Sequence, residues 1–334
     1  MGNQIAIDLG PVYLEASIFI AAEPVPDYTT YYIYSAKHNG TFYFVRLLKA
    51  EVESFKSHIL YSKLTRDDVP VQVTGVKFDD FHLRLETLFD IQVITSEKTK
   101  FAVKALDFFW NNNKESLYQY KNTQLPQSDG SICTSGDFVK EAICEEALFP
   151  CLLVNVRSGI SIYRVNSLED FHKVGGSSFG GSTFWALSKL LCNYETPTDA
   201  LESSRDGNNV LVDMTVGDIY GRGYDQMGLP HNLIASSCAK LREKRTDETD
   251  PASIAKSLLI LFCFNMTQIS YMQAVVEGID RIAVVGDAMH TTYANELAQY
   301  CIDFWSANKI KLIQSDYGAY FGSFGALLRQ LDRV

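Results

Sequence analysis

The sequence predicts an α/β protein whose two similar domains face a shared cleft. Each half of the 334 residues opens with a strand, a small-residue turn and a return strand: IAIDL, GPV and YLEASIF near the N-terminus, and LLVNV, RSG and ISIYRV from Leu152 onward. Short aliphatic runs bounded by turn residues are typical of strands. The second half then repeats a strand, a glycine and a helix three times, which indicates helices packed on a sheet.

The first half predicts further strands beyond the opening pair. TTYYIYSA and TFYFVRLL, separated by KHNG, have the pattern of a second hairpin, and VPVQVTG that of a strand. A helix is predicted between them from Ala50 to Leu64. Antiparallel strands followed by a helix and another strand are typical of an α/β domain.

The second half carries clear helix signals. A short helix is predicted after Pro197, and a long one begins where Asp250 can cap the helix and Pro251 occupies its first turn. RIAVVGD, from Arg281 to Asp287, is a buried strand that leads into a helix from Thr291 to Trp305. The strand KIKLIQS and a glycine-rich turn with a final helix close the chain.

Between the two halves, residues 111–146 are polar and lack periodicity, so we predict an inserted loop or hairpin. The predicted organisation is an N-terminal α/β lobe at 1–110, a polar insert or linker at 111–149, and a C-terminal α/β lobe at 150–334.

Composition excludes several classes of function. The formal net charge is −10 and the largest basic cluster is Lys240 to Arg245, which argues against nucleic acid as a partner. Seven scattered cysteines without a CxxC motif favour a reduced, intracellular protein. The apolar run from Ser257 to Phe264 is too short to span a membrane, and no secretory signal pattern is present, so we expect a cytoplasmic protein. The histidines show no spacing typical of a metal site.

The segment VGGSSFGGSTFWALSKLL, which ends at Leu191, is the candidate ligand site. Its glycines allow close backbone approach to a ligand, and the N-terminus of the helix that follows offers N–H groups to an anion. Ser158, Gly159 and Ser161 lie at or beside the preceding hairpin turn. The segment therefore indicates either a phosphate-binding loop or a glycine-rich connection that binds nothing.

An ordered series of motifs adds a family resemblance. LLVNVRSGISI, VGGSSFGGSTFWAL, VDMTVGDIYG, GLPHNLIASS, AVVGD, YCIDFWS and YGAYFGSFGALL resemble, in order and spacing, the eukaryotic-type (type II) pantothenate kinases. The resemblance implies an actin/hexokinase-like two-domain fold and a dimer. It also implies transfer of the γ-phosphoryl group of ATP to pantothenate, the first step of coenzyme A biosynthesis, and inhibition by acyl-CoA.

The resemblance assigns site residues by matching motifs. An ATP and phosphate site, with Mg²⁺ held by Asp8, is implied at Asp8, Gly10, Gly75, Gly159, Gly181 and Gly286. Pantothenate or acyl-CoA contacts are implied at Ser158, Ser161, Lys173 and Ala235. The chain departs from the family pattern within these loops, because Pro11 and Val12 follow Gly10, Val76 follows Gly75, and Arg157 replaces a glycine. Pro11 in particular removes a backbone donor from the turn that should receive the phosphates.

The catalytic position also departs from the family. The resemblance places Lys98 where the family has the glutamate that accepts the pantothenate proton, and a shift of one residue would place Glu97 there instead. A lysine cannot act as this base unless burial lowers its pKa strongly.

Two hypotheses follow from these departures. In the first, the chain is an independently active kinase with a rearranged phosphate site and Glu97 as the base. In the second, it is a catalytically weakened relative that pairs with an active homologue, with residues 233–235 completing the partner's pantothenate pocket. The substitutions at residues 11, 76, 98 and 157 favour the second hypothesis. The family resemblance allows a homodimer or a heterodimer.

Overall fold

The computed structural model describes residues 4–21, 31–53, 71–75, 92–93, 98–122, 138–224, 229–242 and 248–332. Its strands are β1 Gln4–Leu9, β2 Tyr13–Ala21, β3 Tyr31–Ser35, β4 Gly40–Leu48, β5 Val71–Gly75, β6 Gln92–Val93, β7 Leu117–Asn122, β8 Phe138–Ala142, β9 Cys151–Val156, β10 Ile160–Val165, β11 Phe171–Ser177, β12 Met214–Thr215, β13 Ile234–Ser236, β14 Arg281–Val285 and β15 Lys311–Ser315. Its α-helices are α1 Lys98–Asn112, α2 Gly181–Cys192, α3 Pro197–Ser203, α4 Val216–Tyr220, α5 Pro251–Glu277, α6 Thr292–Ser306 and α7 Phe321–Leu331.

Two large sheets share one topology. The first has the order β3-β4-β2-β1-β5-β6 and the second β11-β10-β9-β14-β15-β7-β8. In each, the opening strand pairs antiparallel with its return strand and parallel with a later strand, β5 in the first sheet and β14 in the second. This duplication explains the similar start of the two halves in the sequence. The predicted α/β fold class, with two sheets of similar topology, is confirmed.

An aromatic core lies where α1 and α7 pack between the sheets. The Phe109 ring stacks on Phe321, with 5.2 Å between centroids, and the Phe324 ring lies 5.0 Å from Phe42 of the first sheet. The same buried cluster includes Leu153 and Ile313 of the second sheet. Helix α7, at the end of the chain, therefore packs against the first sheet. The domain boundaries predicted from the sequence remain a prediction.

The polar segment between the lobes forms a hairpin over its described residues. Strands β7 and β8 pair antiparallel, and β7 extends the second sheet by pairing with β15 through Tyr118 and Gln314. Residues 123–137 lie outside the described residues, as does most of the helix predicted from Ala50 to Leu64.

Helix α5 is the longest of the described helices. Asp250 caps it as predicted, because its carboxylate accepts hydrogen bonds from the N–H groups of Ala252 and Ser253. By length and hydropathy alone this helix would pass for a membrane span, and the described residues hold no other such helix. Leu259 and Cys263 are fully buried, and α2, α3 and α6 pack on the helix, which is the environment of a core helix.

We expect Gly325→Ala to lower the free energy of unfolding by about 1–3 kcal/mol, because α7 touches α1 at this glycine. A Cβ at Gly325 would lie 1.9 Å from the Phe101 carbonyl oxygen. Gly318→Ala is the matched control, since its added Cβ would meet its nearest atom at 3.7 Å. Urea unfolding of both variants provides the measurement. Equal stability of the two variants would contradict the close packing of α1 and α7.

Candidate functional site

An open cleft of about 590 Å³ lies where the turn after β1 faces the β9–β10 hairpin and β11. Among the residues predicted to bind ligands, it brings together the following: Gly10, Ser158, Gly159, Ser161 and Lys173. The described residues that line it include Arg157 and Lys173 but no carboxylate. The cleft is therefore suited to an anionic small molecule.

The other predicted glycines lie at close contacts between backbone segments. Gly75 is paired with Leu9 across β1 and β5 and has a positive φ of 133°. Gly286 has a φ of 117°, and a Cβ there would lie 2.2 Å from the Val156 carbonyl oxygen. Only glycine fits such positions without strain. Their presence is therefore explained by close packing of backbone segments.

Ala235 lies apart from this cleft. It is an exposed residue of β13, which pairs with β12 in a separate two-stranded sheet. It is absent from the described residues that line the cleft. Within a single chain, the structure therefore does not bring Ala235 together with the other predicted pantothenate residues.

The N-terminus of α2 has no free N–H group in its first turn. Gly181 and Ser182 donate hydrogen bonds to the carbonyls of Arg157 and Ser158, at 2.7 and 3.2 Å, and the next two N–H groups bond to the Gly180 carbonyl. The first four N–H groups of a helix are those that could bind an anion. The expectation that this end offers N–H groups to a phosphate is wrong, because the 157–158 loop folds back onto it.

Asp8 and Arg157 form a buried ion pair across the base of the cleft. An Nη2–H group of Arg157 donates to Oδ2 of Asp8, and the exposed fractions of the two side chains are 17% and 1%. The other oxygen of Asp8, Oδ1, is buried and has no hydrogen-bond partner among the described residues. The carboxylate that the resemblance assigns to Mg²⁺ is therefore held by the chain's own guanidinium.

Three residues that the sequence analysis did not select surround this pair. Glu15 of β2 is fully buried, lies opposite Asp8 in the sheet and is 3.3 Å from Nε of Arg46 on β4. Arg46 also donates to the backbone carbonyl of Asp287 at 3.2 Å. A glutamate in the otherwise apolar run YLEASIFIA was the signal that could have identified this cluster, because buried charges require partners.

The cluster changes the protonation of its members. Burial, and then the negative charge of Asp287, raise the pKa of Glu15 to about 8. Burial alone would lower the pKa of Arg157, but the carboxylates of Asp8, Asp287 and Glu15 outweigh it and raise that pKa. Near neutral pH a protonated Glu15 adds no negative charge to the cluster.

His290 belongs to a neutral hydrogen-bond chain that joins the lobes. Its Nδ1–H donates to the Asp287 carbonyl at 2.8 Å, and its Nε2 accepts from the Thr198 hydroxyl at 3.1 Å. Thr198 in turn accepts from the Tyr13 hydroxyl of the first sheet at 2.7 Å. Burial, together with the nearby charge of Arg46, lowers the pKa of His290 to about 3, so the ring stays uncharged.

The predicted catalytic position is only partly described. Lys98 begins α1, and its side chain lies outside the described residues together with the whole of Glu97. Thr99, the next residue of the helix, lines the cleft. Either candidate is thus close in sequence to the cleft, and their roles remain predictions.

No metal-binding cluster is present in the described part of the chain, where no group of three His, Cys, Asp or Glu side chains could hold an ion. His172 is an exposed residue of β11, and His82 lies outside the described residues. The described histidines therefore do not add a metal site to the cleft.

Sequence comparison finds similarity to pantothenate kinases. The family model described as Fumble matches residues 24–329. The pantothenate kinase of Schizosaccharomyces pombe is 28% identical over 341 residues, a match that covers 98% of this chain and 82% of that protein. Pantothenate kinase 2 of Arabidopsis thaliana is 36% identical over 185 residues, but this match covers 54% of the chain and only 20% of the relative.

Solved structures show a more distant likeness. The glucokinase of Balamuthia mandrillaris, solved with glucose, has a TM-score of 0.45 at 12% identity and covers 100% of this chain and 94% of its own. The ethanolamine utilization protein EutJ of Carboxydothermus hydrogenoformans has a TM-score of 0.47 at 8% identity, with coverages of 97% and 89%. Both are much less similar in sequence than the proteins matched by sequence comparison.

Proposed function

Because the chain belongs to the Fumble family, whose curated relatives are named pantothenate kinases, we propose that it is a pantothenate kinase family protein with weakened or lost catalysis of its own. It acts in a dimer with an active homologue that phosphorylates pantothenate with ATP in coenzyme A biosynthesis. Its place of action is the cytoplasm. Acyl-CoA is the proposed regulatory ligand of the assembly.

The observation that carries this proposal is the hydrogen bonding at the start of α2. Phosphoryl transfer depends on positioning and electrostatic stabilisation of the phosphates. The N–H groups of Gly181 and Ser182 bond instead to carbonyls of the 157–158 loop. Pro11 removes another backbone donor from the facing turn. A triphosphate would therefore find few donors at the place where the family resemblance expects it.

The exposed surface of α5 supports a protein partner. Met272, Val275 and Val276 are 60%, 60% and 76% exposed near the end of this helix. Exposed apolar groups that lie together on one helix face favour association with another chain. The partner in this proposal is an active pantothenate kinase, with the exposed Ala235 segment directed at the partner's pantothenate pocket.

The alternative is an independently active pantothenate kinase. The open cleft beside Ser158, Ser161 and Lys173 favours this alternative, since it retains room for a small substrate. Glu97 would then accept the hydroxyl proton, and Asp8 would have to exchange Arg157 for Mg²⁺. Loss of a general base typically lowers the rate by about 10²–10⁴-fold. A variant without the Glu97 carboxylate should therefore be slower by about this factor.

The test compares the purified chain alone with the chain plus an active pantothenate kinase from the same cell. We expect no phosphopantothenate from the chain alone and a stable mixed dimer whose activity requires this chain. Val276→Asp should dissociate the mixed dimer, because a charge on an apolar interface must lose its water. Leu190→Asp, at a 76% exposed residue of α2, is the matched control. Gel filtration and product formation are the measurements.

Two outcomes contradict the proposal. Turnover by the chain alone that disappears in Glu97→Gln would support the active-kinase alternative. A chain that remains monomeric beside the active kinase would exclude the role as a subunit.

A further inference from the structure

We infer that the Arg157 guanidinium has replaced the metal–phosphate group between the two lobes, so that the chain closes its cleft base without a nucleotide. This inference rests on the proposed function and specifies how its phosphate site is closed. The residues present do not fit Mg²⁺ bound to ATP, because Arg157 donates to Oδ2 of Asp8 and so places a positive charge on the same carboxylate whose Oδ1 has no partner among the described residues. The disagreement with the family resemblance thus has a specific chemical cause.

The first observation behind this inference is the set of acidic groups around Arg157. Its guanidinium lies among the carboxyl groups of Asp8, Glu15 and Asp287. A Cβ at Gly10 would lie 2.8 Å from Oδ2 of Asp287 and 3.8 Å from Oε2 of Glu15, so these carboxylates gather around the β1–β2 turn. Without Arg157, these groups would keep Arg46 as their neighbouring guanidinium. Carboxylate oxygens would then outnumber the positive charges beside them, which favours binding of a hard divalent cation.

The second observation is the small space that is left between Arg157 and Asp8. The cavity bounded by Asp8, Arg157, Gly286 and Gly322 has a volume of only about 10 Å³, which is at the lower limit for one water molecule. A Cβ at Gly322 would lie 3.1 Å from Nη2 of Arg157. The guanidinium therefore fills the glycine-lined position next to Asp8 and leaves no room for a phosphate between the two, although Arg157 also borders the open cleft.

The third observation is that the Asp8–Arg157 ion pair lies between the two lobes. Asp8 is the last residue but one of β1 in the first sheet, and Arg157 begins the β9–β10 turn of the second. Arg46 reaches the Asp287 carbonyl from the first sheet in the same region. A cation supplied by the chain thus joins both lobes, where a nucleotide would otherwise have to do so.

Manganese binding to the full chain tests this inference. Arg157→Gly leaves Asp8 without its partner, and we expect it to bind Mn²⁺ at least about tenfold more tightly than the unaltered chain, as measured from the electron paramagnetic resonance signal of free Mn²⁺. Asp8→Asn in the Arg157→Gly background should remove the gain. Arg164→Gly is the control: it removes an arginine of β10, in the second sheet, that is paired with Glu277 of α5. This variant should leave Mn²⁺ binding unchanged.

A melting experiment covers the case in which Arg157→Gly is unstable. Its melting temperature should rise with Mg²⁺ concentration, while Arg157→Met, which fills the space without a charge, should not respond. A folded Arg157→Gly that binds Mn²⁺ no better than the unaltered chain overturns the inference. So does a variant that stays unfolded at every Mg²⁺ concentration. Turnover by the unaltered chain would contradict the proposed function, whereas equal Mn²⁺ binding by the unaltered chain and Arg157→Gly would contradict the inference alone.

Discussion

Asp8→Ala should lower the free energy of unfolding by about 3–5 kcal/mol, because it leaves the buried Arg157 guanidinium without its ion-pair partner. The exposed fraction of the side chain is 1% for Asp8 and 17% for Arg157. Removing one member of a buried pair leaves an uncompensated charge away from water, which costs far more than the pair itself contributes. Urea unfolding at neutral pH measures the change.

A double-mutant cycle identifies the cause of that loss. Asp8→Ala combined with Arg157→Met should recover most of the lost stability, since it removes both charges together. Glu169→Ala is the surface control: Glu169 pairs with Lys100 at 2.7 Å, but the exposed fractions are 77% and 37%, so a loss below about 1 kcal/mol is expected. An Asp8→Ala protein as stable as the unaltered chain would show that the pair does not hold the two lobes together.

Glu15 should make the protein less stable as pH rises from about 4.5 towards 8. Its pKa is raised from 4.5 to about 8 in the folded state, first by burial and next by Asp287. The folded state therefore keeps a proton that the unfolded chain loses in this range. The stabilising contribution is fully present below pH 4.5 and decreases by up to about 1.4 kcal/mol per pH unit through the window.

Glu15→Gln should remove this pH dependence, because the amide keeps the shape of the protonated carboxyl and does not titrate. The groups that face Glu15 are Asp8 on β1, Arg46 on β4, and Arg157 and Asp287 from the second lobe. Thermal unfolding of the two proteins between pH 5 and 9 provides the measurement, and the variant should be the more stable above pH 8. Parallel profiles for the two proteins would show that Glu15 does not hold the extra proton.

The functional interpretation depends on how selective the changes in this site are. The chain keeps the glycines that backbone packing requires, such as Gly75 and Gly286, and keeps an open cleft beside Ser161 and Lys173. Its changes concentrate on phosphate binding: Pro11 lacks a donor, and Arg157 holds Asp8. This combination is what the proposed subunit would need, because the scaffold and its partner surface can persist without nucleotide chemistry.

Local sequence patterns were enough to predict most individual elements. Asp250 and Pro251 predicted the start of the long helix, and the alternation in ISIYRV predicted the return strand of the β9–β10 hairpin, because capping and hairpin formation depend on neighbouring residues. The polar stretch after Asn111 left loop and hairpin open, since pairing with β15 depends on residues far away in sequence.

The site itself was decided by contacts between distant segments. The motifs by themselves placed Asp8 and Arg157 in ligand-binding loops, but they are 149 residues apart in the chain and their ion pair exists only when the two sheets face each other. The buried Glu15 and the bonded N–H groups of α2 have the same origin, because burial and hydrogen-bond partners are set by packing. The sequence therefore determined the family and the elements, whereas the tertiary structure decided that a guanidinium, and not a phosphate, faces Asp8.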